Sequence, residues 1–124
     1  MRYVCLVHID RSLIDAATPE ELAAMDRQNQ ETNVALKASG HFVIDLALKE
    51  PETARIVRSR GGNVSTTDGP YVESKEHLGG VLVIEARDLQ EAVEIAGRDA
   101  MARFGSIEVR AEMGLSWQQP EMPN

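Results

Sequence analysis

The chain has 124 residues, with 13 Lys and Arg against 20 Asp and Glu and a formal net charge of −7. That length suits one domain able to bury a core without a metal or disulfide, and 43% hydrophobic with 27% charged residues excludes a wholly disordered chain. Net acidity argues against a nucleic-acid footprint, and no run approaches the ~20 apolar residues of a membrane span.

Tyr3 to Val7 is a short β-branched and aromatic run that ends at the polar cluster His8-Ile9-Asp10-Arg11-Ser12, so it reads as a buried strand. The run is too short for the apolar region of a signal peptide, and a soluble cytoplasmic protein is expected. Cys5 lies within it, has no second cysteine to pair with, and reads as a small buried hydrophobe. A helix begins at Thr18-Pro19-Glu20-Glu21, where Thr18 caps, Pro19 suits the first position and Glu21 completes a capping box. Gly40 stops it, giving a helix over about residues 19–39. Its stripe of Leu22, Met25, Asn29, Thr32 and Leu36, with Asn33 beside it, is apolar at both ends and polar in the middle. Two readings fit: a partly exposed helix, or a helix covering a cavity that holds polar ligand atoms.

Val43 to Leu48 predicts a second strand, stopped by Pro51. Thr53 to Arg60 and Val64 to Thr67 predict a hairpin around Gly61-Gly62-Asn63. Val81 to Ile84 is the second continuous apolar run, bounded by Gly79-Gly80. Asp88-Leu89-Gln90-Glu91 is another capping box, opening a helix that carries Ala92, Val93, Ala96 and Ala100 on one face. Ile107, Val109, Ala111 and Met113 alternate with Glu108, Arg110 and Glu112, which predicts a strand with one wet face. Gln118 to Asn124 holds two prolines and reads as a loose tail.

Strand, helix, strand, hairpin insertion, strand, helix, strand is the order of a ferredoxin-like split β-α-β fold of the α+β class. That topology places the first and third main strands at the centre of the sheet, and these are the two runs that are apolar throughout. Both helices then cover one face, and the simplest cover for the other is the same face of a second copy, a homodimer.

Asp68-Gly69-Pro70-Tyr71, followed by Glu73, Lys75, Glu76 and Gly79-Gly80, resembles the signature of the DGPF-type branch of the YCII-related domain family. The opening strand, the helix start at Thr18 and the ending Gly105-Ser106-Ile107-Glu108-Val109-Arg110 resemble that branch too. The resemblance covers about residues 1–113 as one domain, leaving 114–124 as a C-terminal tail. It departs at Tyr71, where the branch has Phe, and at Arg110-Ala111, where Arg-Pro is expected. The resemblance implies a ferredoxin-like, dimeric α+β barrel and, for the wider family, a proposed enzymatic site built from acidic and His residues.

Asp68-Gly69-Pro70 is chemically a turn, in which Asp68 bonds downstream amides or caps a short helix over 73–77. Alternatively Asp68 is a carboxylate at a cavity mouth, able to move protons if burial raises its pKa. Tyr71 offers a hydroxyl for packing or ligand binding. Lys75 offers a cation for an anionic ligand or for Glu73 or Glu76. His8 sits where a central strand ends, an edge that often opens on a pocket. His41 and His77 read as exposed loop residues. Asn29 and Asn33 are the ligand-binding candidates of the long helix. Zinc spacings, phosphate-binding loops and a Gly-x-Ser-x-Gly elbow are missing from the sequence, so neither metal nor cofactor is expected. Two functions are compatible with this set. One is a dimeric small-molecule binder with a cleft between sheet and helices. The other is a cofactor-independent enzyme on a small organic substrate, with Asp68 or His8 as acid/base. A desolvated Asp68 favours the enzyme, and an apolar pouch favours the binder.

Overall fold

The structure is a computed structural model and describes residues 1–70 and 74–115. Among these residues, six strands and three helices follow one another as β1 (Arg2–Asp10), α1 (Arg11–Ala16), α2 (Pro19–Ser39), β2 (Phe42–Ala47), β3 (Arg55–Arg60), β4 (Asn63–Asp68), β5 (Glu76–Glu85), α3 (Leu89–Gly97) and β6 (Gly105–Ala111). Short 3-10 turns occupy Pro51–Thr53 and Ala100–Phe104. The protein is therefore α+β with antiparallel sheets. The main sheet has the order β2-β5-β1-β6 with every neighbouring pair antiparallel, and β3-β4 form a separate two-stranded sheet. Consequently α2 joins two strands that flank β5, and α3 joins two that flank β1, which interleaves two split β-α-β units. The two apolar runs are central, as their composition requires.

The helix boundaries follow from local chemistry. The Thr18 hydroxyl accepts from the Glu21 amide at 3.1 Å, the N-cap bond expected there, and donates to the Glu21 carboxylate at 3.2 Å, so the carboxylate meets the cap's hydroxyl where a full capping box has its backbone amide. Gly40 closes α2 at φ 81°, in the left-handed region that glycine enters without a Cβ clash. Asp88 accepts from the Glu91 amide at 2.9 Å and so starts α3. Sequence reasoning missed α1: Asp10 ends β1 and its carboxylate accepts from the Ser12 amide at 3.0 Å, so strand and helix abut without a loop.

Side-chain alternation divides the main sheet in two. Tyr3, Cys5, Leu82 and Ile84 point at the helices and pack with Leu36 of α2 and Ala92, Ile95 and Ala96 of α3. Ile107 and Val109 of β6 join them. Burying each large aliphatic side chain here contributes about 1.5–3 kcal/mol. Burial also pushes the Cys5 thiol up to about 11, as suits an inert core residue. On the opposite face, Val4, Leu6, Val81 and Val83 lie beside Ile44 and Leu46, and no helix covers them. Glu108 and Arg110 on β6 supply the wet face anticipated from its alternation.

Two corrections concern β5, which starts at Glu76 rather than Val81. Glu76 and His77 belong to this strand, so no helix over 73–77 exists for Asp68 to cap. Gly79-Gly80 do not bound the strand but lie in its middle, where the register against β1 shifts. Leu78 opposes His8 and Gly80 opposes Val7, which leaves Gly79 as the extra residue of a β-bulge. A Cβ on Gly79 would lie 2.1 Å from Ile9 Cδ1, so a larger residue in the bulge would push the Ile9 side chain aside. Gly105 is more tightly constrained, because a Cβ there would stand 1.9 Å from the His8 backbone carbonyl oxygen.

Candidate functional site

The bulge marks one wall of a groove between the helical layer and the sheet. Its inner lobe, about 240 Å³, runs under α2 and its lining includes Val7, Ile9, Met25, Asp26, Asn29, Thr32, Asn33, Asp45, Gly79, Asp99 and Met101. An outer lobe of about 410 Å³ shares Ile9, Met25, Gly79 and Met101 and extends to Arg11, Asp15, Lys49 and His77. The floor is thus aliphatic and thioether, with polar groups gathered at the ends. The polar middle of the α2 stripe lines this space, and α2 is at the same time a partly exposed helix whose one buried residue is Leu36.

Asparagine side chains organise the inner lobe. The Asn33 amide donates to the Asp45 carboxylate at 2.8 Å and ties α2 to β2. The Asp99 carboxylate accepts from the Met101 amide at 2.8 Å, capping the following 3-10 turn. Burial pushes the Asp99 carboxyl above its ordinary range; the Met101 amide opposes this, and the nearby charge of Asp45 adds to it. A carboxyl with a raised pKa on the wall of a cavity is a candidate for holding or releasing a proton. Sequence reasoning passed over Asp99; the available signal was an Asp immediately before the short turn Ala100–Phe104, which it caps.

The outer lobe is held by ion pairs. Arg11 grips Glu52 through two bonds of 2.7 and 3.0 Å, and this bidentate pair pulls the Glu52 carboxyl down to about 2. Asp10 is buried, and its carboxyl is lowered first by the Ser12 hydroxyl, which donates at 2.6 Å. Among the described residues no group of His, Cys, Asp and Glu is arranged to hold a metal ion.

The residues singled out from sequence do not meet at one point. Asn29 and Asn33 line the inner lobe. His8 is on the other side of the sheet, its Nε2 3.5 Å from a Glu108 oxygen. Asp68 ends β4 with its side chain 85% exposed, 3.3 Å from Arg55 Nε, so the burial that proton transfer calls for is not found at this carboxylate. Lys75 pairs with Asp10 at 3.5 Å rather than with Glu76. Tyr71 and Glu73 lie outside the described residues, as do Gln118 to Asn124. Contrary to the loop reading, His77 is a half-buried strand residue paired with Ile9. His41 is half-buried too, bonded to Ser39 at 2.7 Å and to Glu91 at 3.3 Å, where it joins the ends of α2 and α3.

A second space of about 630 Å³ separates His8, Glu76 and Leu78 from the hairpin residues Ala54, Ile56 and Pro70. Glu76 accepts from the Ser106 hydroxyl at 2.6 Å on its border. It is larger than either groove lobe, but it is continuous with the uncovered face of the sheet.

Comparison with known proteins gives three findings. The profile of the YCII-related domain matches residues 1–113. An uncharacterized protein of Rhizobium meliloti is 31% identical over 113 residues, spanning 89% of this chain and 90% of its own length. Among solved structures, a 5-chloro-2-hydroxyhydroquinone dehydrochlorinase from Burkholderia phenoliruptrix, in complex with 2,5-dihydroxybenzoquinone, superposes with a TM-score of 0.50 at 13% identity. That superposition covers 96% of this chain and all of the other, and the likeness is one of fold. No helix among the described residues is long and apolar enough to cross a membrane.

Proposed function

The chain belongs to the YCII-related domain family, and from that premise we propose that it is a homodimeric small-molecule-binding protein whose ligand occupies the groove between α2 and the sheet. Its branch is the DGPF type, on the strength of Asp68-Gly69-Pro70-Tyr71. The observation that carries the binding role is the groove itself: an apolar floor with convergent polar groups at Asn29, Asn33, Asp45 and Asp99. The dimer is supported by the apolar strip that alternation leaves on the outer face; joining two such faces would make the barrel. His8 and the space beside it then lie against the partner, and Asp68 and Lys75 stay outside the groove.

A second reading, a cofactor-independent enzyme on a small organic substrate, is favoured by the raised carboxyl of Asp99 in the same groove. That the solved protein of like fold is a dehydrochlorinase shows only that such a fold can carry an enzyme. In this reading Asp99 takes the acid/base role considered for Asp68 and His8.

A thermal-shift screen of small organic molecules tests the site with two filling variants. Thr32→Trp blocks the groove, and Ile56→Trp blocks the space beside the hairpin. Ligands that raise the melting temperature of the wild type are expected to lose their effect in Thr32→Trp and keep it in Ile56→Trp. The reverse pattern would place binding on the other face. Mass spectrometry of each ligand after incubation separates the two readings: an unaltered molecule supports the binder, and a product lost in Asp99→Asn supports the enzyme.

A further inference from the structure

The two lobes of the groove meet at a waist. Ile9, Met25, Gly79 and Met101 line both, so they form the section where one lobe passes into the other. Three of the four carry aliphatic or thioether side chains, and the fourth carries none. Backbone conformation does not demand glycine at position 79, because Gly79 lies outside the left-handed region that Gly40, Gly61, Gly62 and Gly114 occupy. A rigid neighbour does not demand it either. The three atoms nearest to a Cβ there all belong to the Ile9 side chain, at 2.1 Å for Cδ1, 2.8 Å for Cγ1 and 3.7 Å for Cβ, whereas Gly105 is held against backbone. We infer that Gly79 sets the shape of the ligand: it lets Ile9 lie back against β5 and so keeps both lobes open to one elongated molecule, apolar at its middle and polar at both ends. This rests on the groove being the ligand site.

Two physical points favour this role. The tip of Ile9 is what must yield to a side chain at position 79, and the Ala100–Phe104 turn packs on β1 and β6 and takes the space on the β6 side. A displaced tip therefore enters the groove at its waist. The lining also changes character along the groove as such a ligand requires. Thioether and aliphatic groups at the waist give apolar contact and adapt to shape. Asn29, Thr32 and Asn33 offer neutral donors and acceptors on the inner side, and Arg11, Asp15 and Lys49 offer charged groups on the outer side. A compact ligand that stays within one lobe is indifferent to residue 79, and a ligand that crosses the waist is not. Gly79 is thus a positioning residue that acts through Ile9.

Two probes test the inference by isothermal titration at pH 7: phenol, which stays within one lobe, and 4-(4-hydroxybutyl)phenol, which reaches across the waist. The long probe is expected to bind about tenfold more tightly than phenol. Gly79→Ala should weaken the long probe about tenfold and phenol less than about twofold, with unchanged circular dichroism. Ile9→Ala removes the atoms that a Cβ at position 79 would strike, so adding Gly79→Ala to Ile9→Ala should change the long probe's affinity by less than about twofold. A long probe that loses its affinity in Thr32→Trp but not in Gly79→Ala would overturn the role of Gly79 and leave the groove as the site. So would equal losses of both probes in Gly79→Ala, a loss that persists in the Ile9→Ala background, or a Gly79→Ala chain that does not fold. No binding of either probe at millimolar concentration, or long-probe binding that survives Thr32→Trp, would overturn the waist and the groove together.

Discussion

Along β1 the two faces of the main sheet can be set side by side. Tyr3, Cys5 and Val7 are 3, 1 and 6% exposed beneath the helices, whereas Val4, Leu6 and His8 remain half-buried on the other face. The covered face completes its core within one chain and gives the space left under α2 to polar side chains. The open face stays aliphatic across β2 and β5, where Ile44 and Leu46 are 44 and 50% exposed. Charge enters at its borders, through the Arg2–Glu85 pair at one end of β1 and β5 and through Glu108 and Arg110 on β6. One face thus closes over a core and a polar-walled groove while the other leaves an apolar strip half-buried, and the strand's period of two lets a single sequence build both.

The largest expected effect compares adjacent residues on β5. Ile84, with 0% exposure, points into the core, and Ile84→Ala should cost about 2–5 kcal/mol in urea unfolding because the cavity it leaves cannot collapse. Val83→Ala points the other way and should cost less than about 1.5 kcal/mol under conditions that keep the chain monomeric. Equal losses would mean that the two faces are packed alike. A smaller effect tests the covered layer at its edge: Asp88→Ala removes the cap of α3 and should lower stability by about 0.5–2 kcal/mol.

At Asp99 the sign reverses. Its folded-state pKa is raised, so the ionised carboxylate opposes folding, and the loss is present above the folded pKa and disappears as pH falls below the unfolded value. Asp99→Asn keeps an acceptor for the Met101 amide and should raise the melting temperature at pH 7. The gain should close in acid, because both side chains are then neutral. A stabilisation that is unchanged down to pH 3 would assign the effect to packing rather than charge. The smallest effect is at Asp68, whose partner Arg55 is also exposed. Exposed ion pairs contribute about 0–1 kcal/mol, so Asp68→Asn should leave both the melting curve and groove binding nearly unchanged.

Much of the frame was legible because it rests on local chemistry. Thr18, Gly40 and Asp88 mark helix ends through bonds formed within four residues. The two apolar runs identify the central strands because only those are buried by neighbours on both edges. β5 was read too short because its first half, Glu76 to Gly80, is neither apolar nor alternating; the pairing of Asp10 with Glu76 and Ile9 with His77 makes it a strand, and pairing across 66 residues leaves no local trace. The same holds for the site. The polar middle of α2 was visible, and it does face a cavity. Asp99 and Asp45 reach that cavity only through the fold, and the separation of His8 from Asn29 and Asn33 depends on which face each strand residue takes.

Sedimentation equilibrium of the wild type and Val83→Asp tests the division of the sheet most directly. At micromolar concentration the wild type should run at twice its 13.6 kDa mass, and Val83→Asp should run at 13.6 kDa with the circular dichroism of a folded chain. A wild type that sediments as a well-behaved monomer, or a Val83→Asp that remains dimeric, would contradict the assignment of the open face to a second copy.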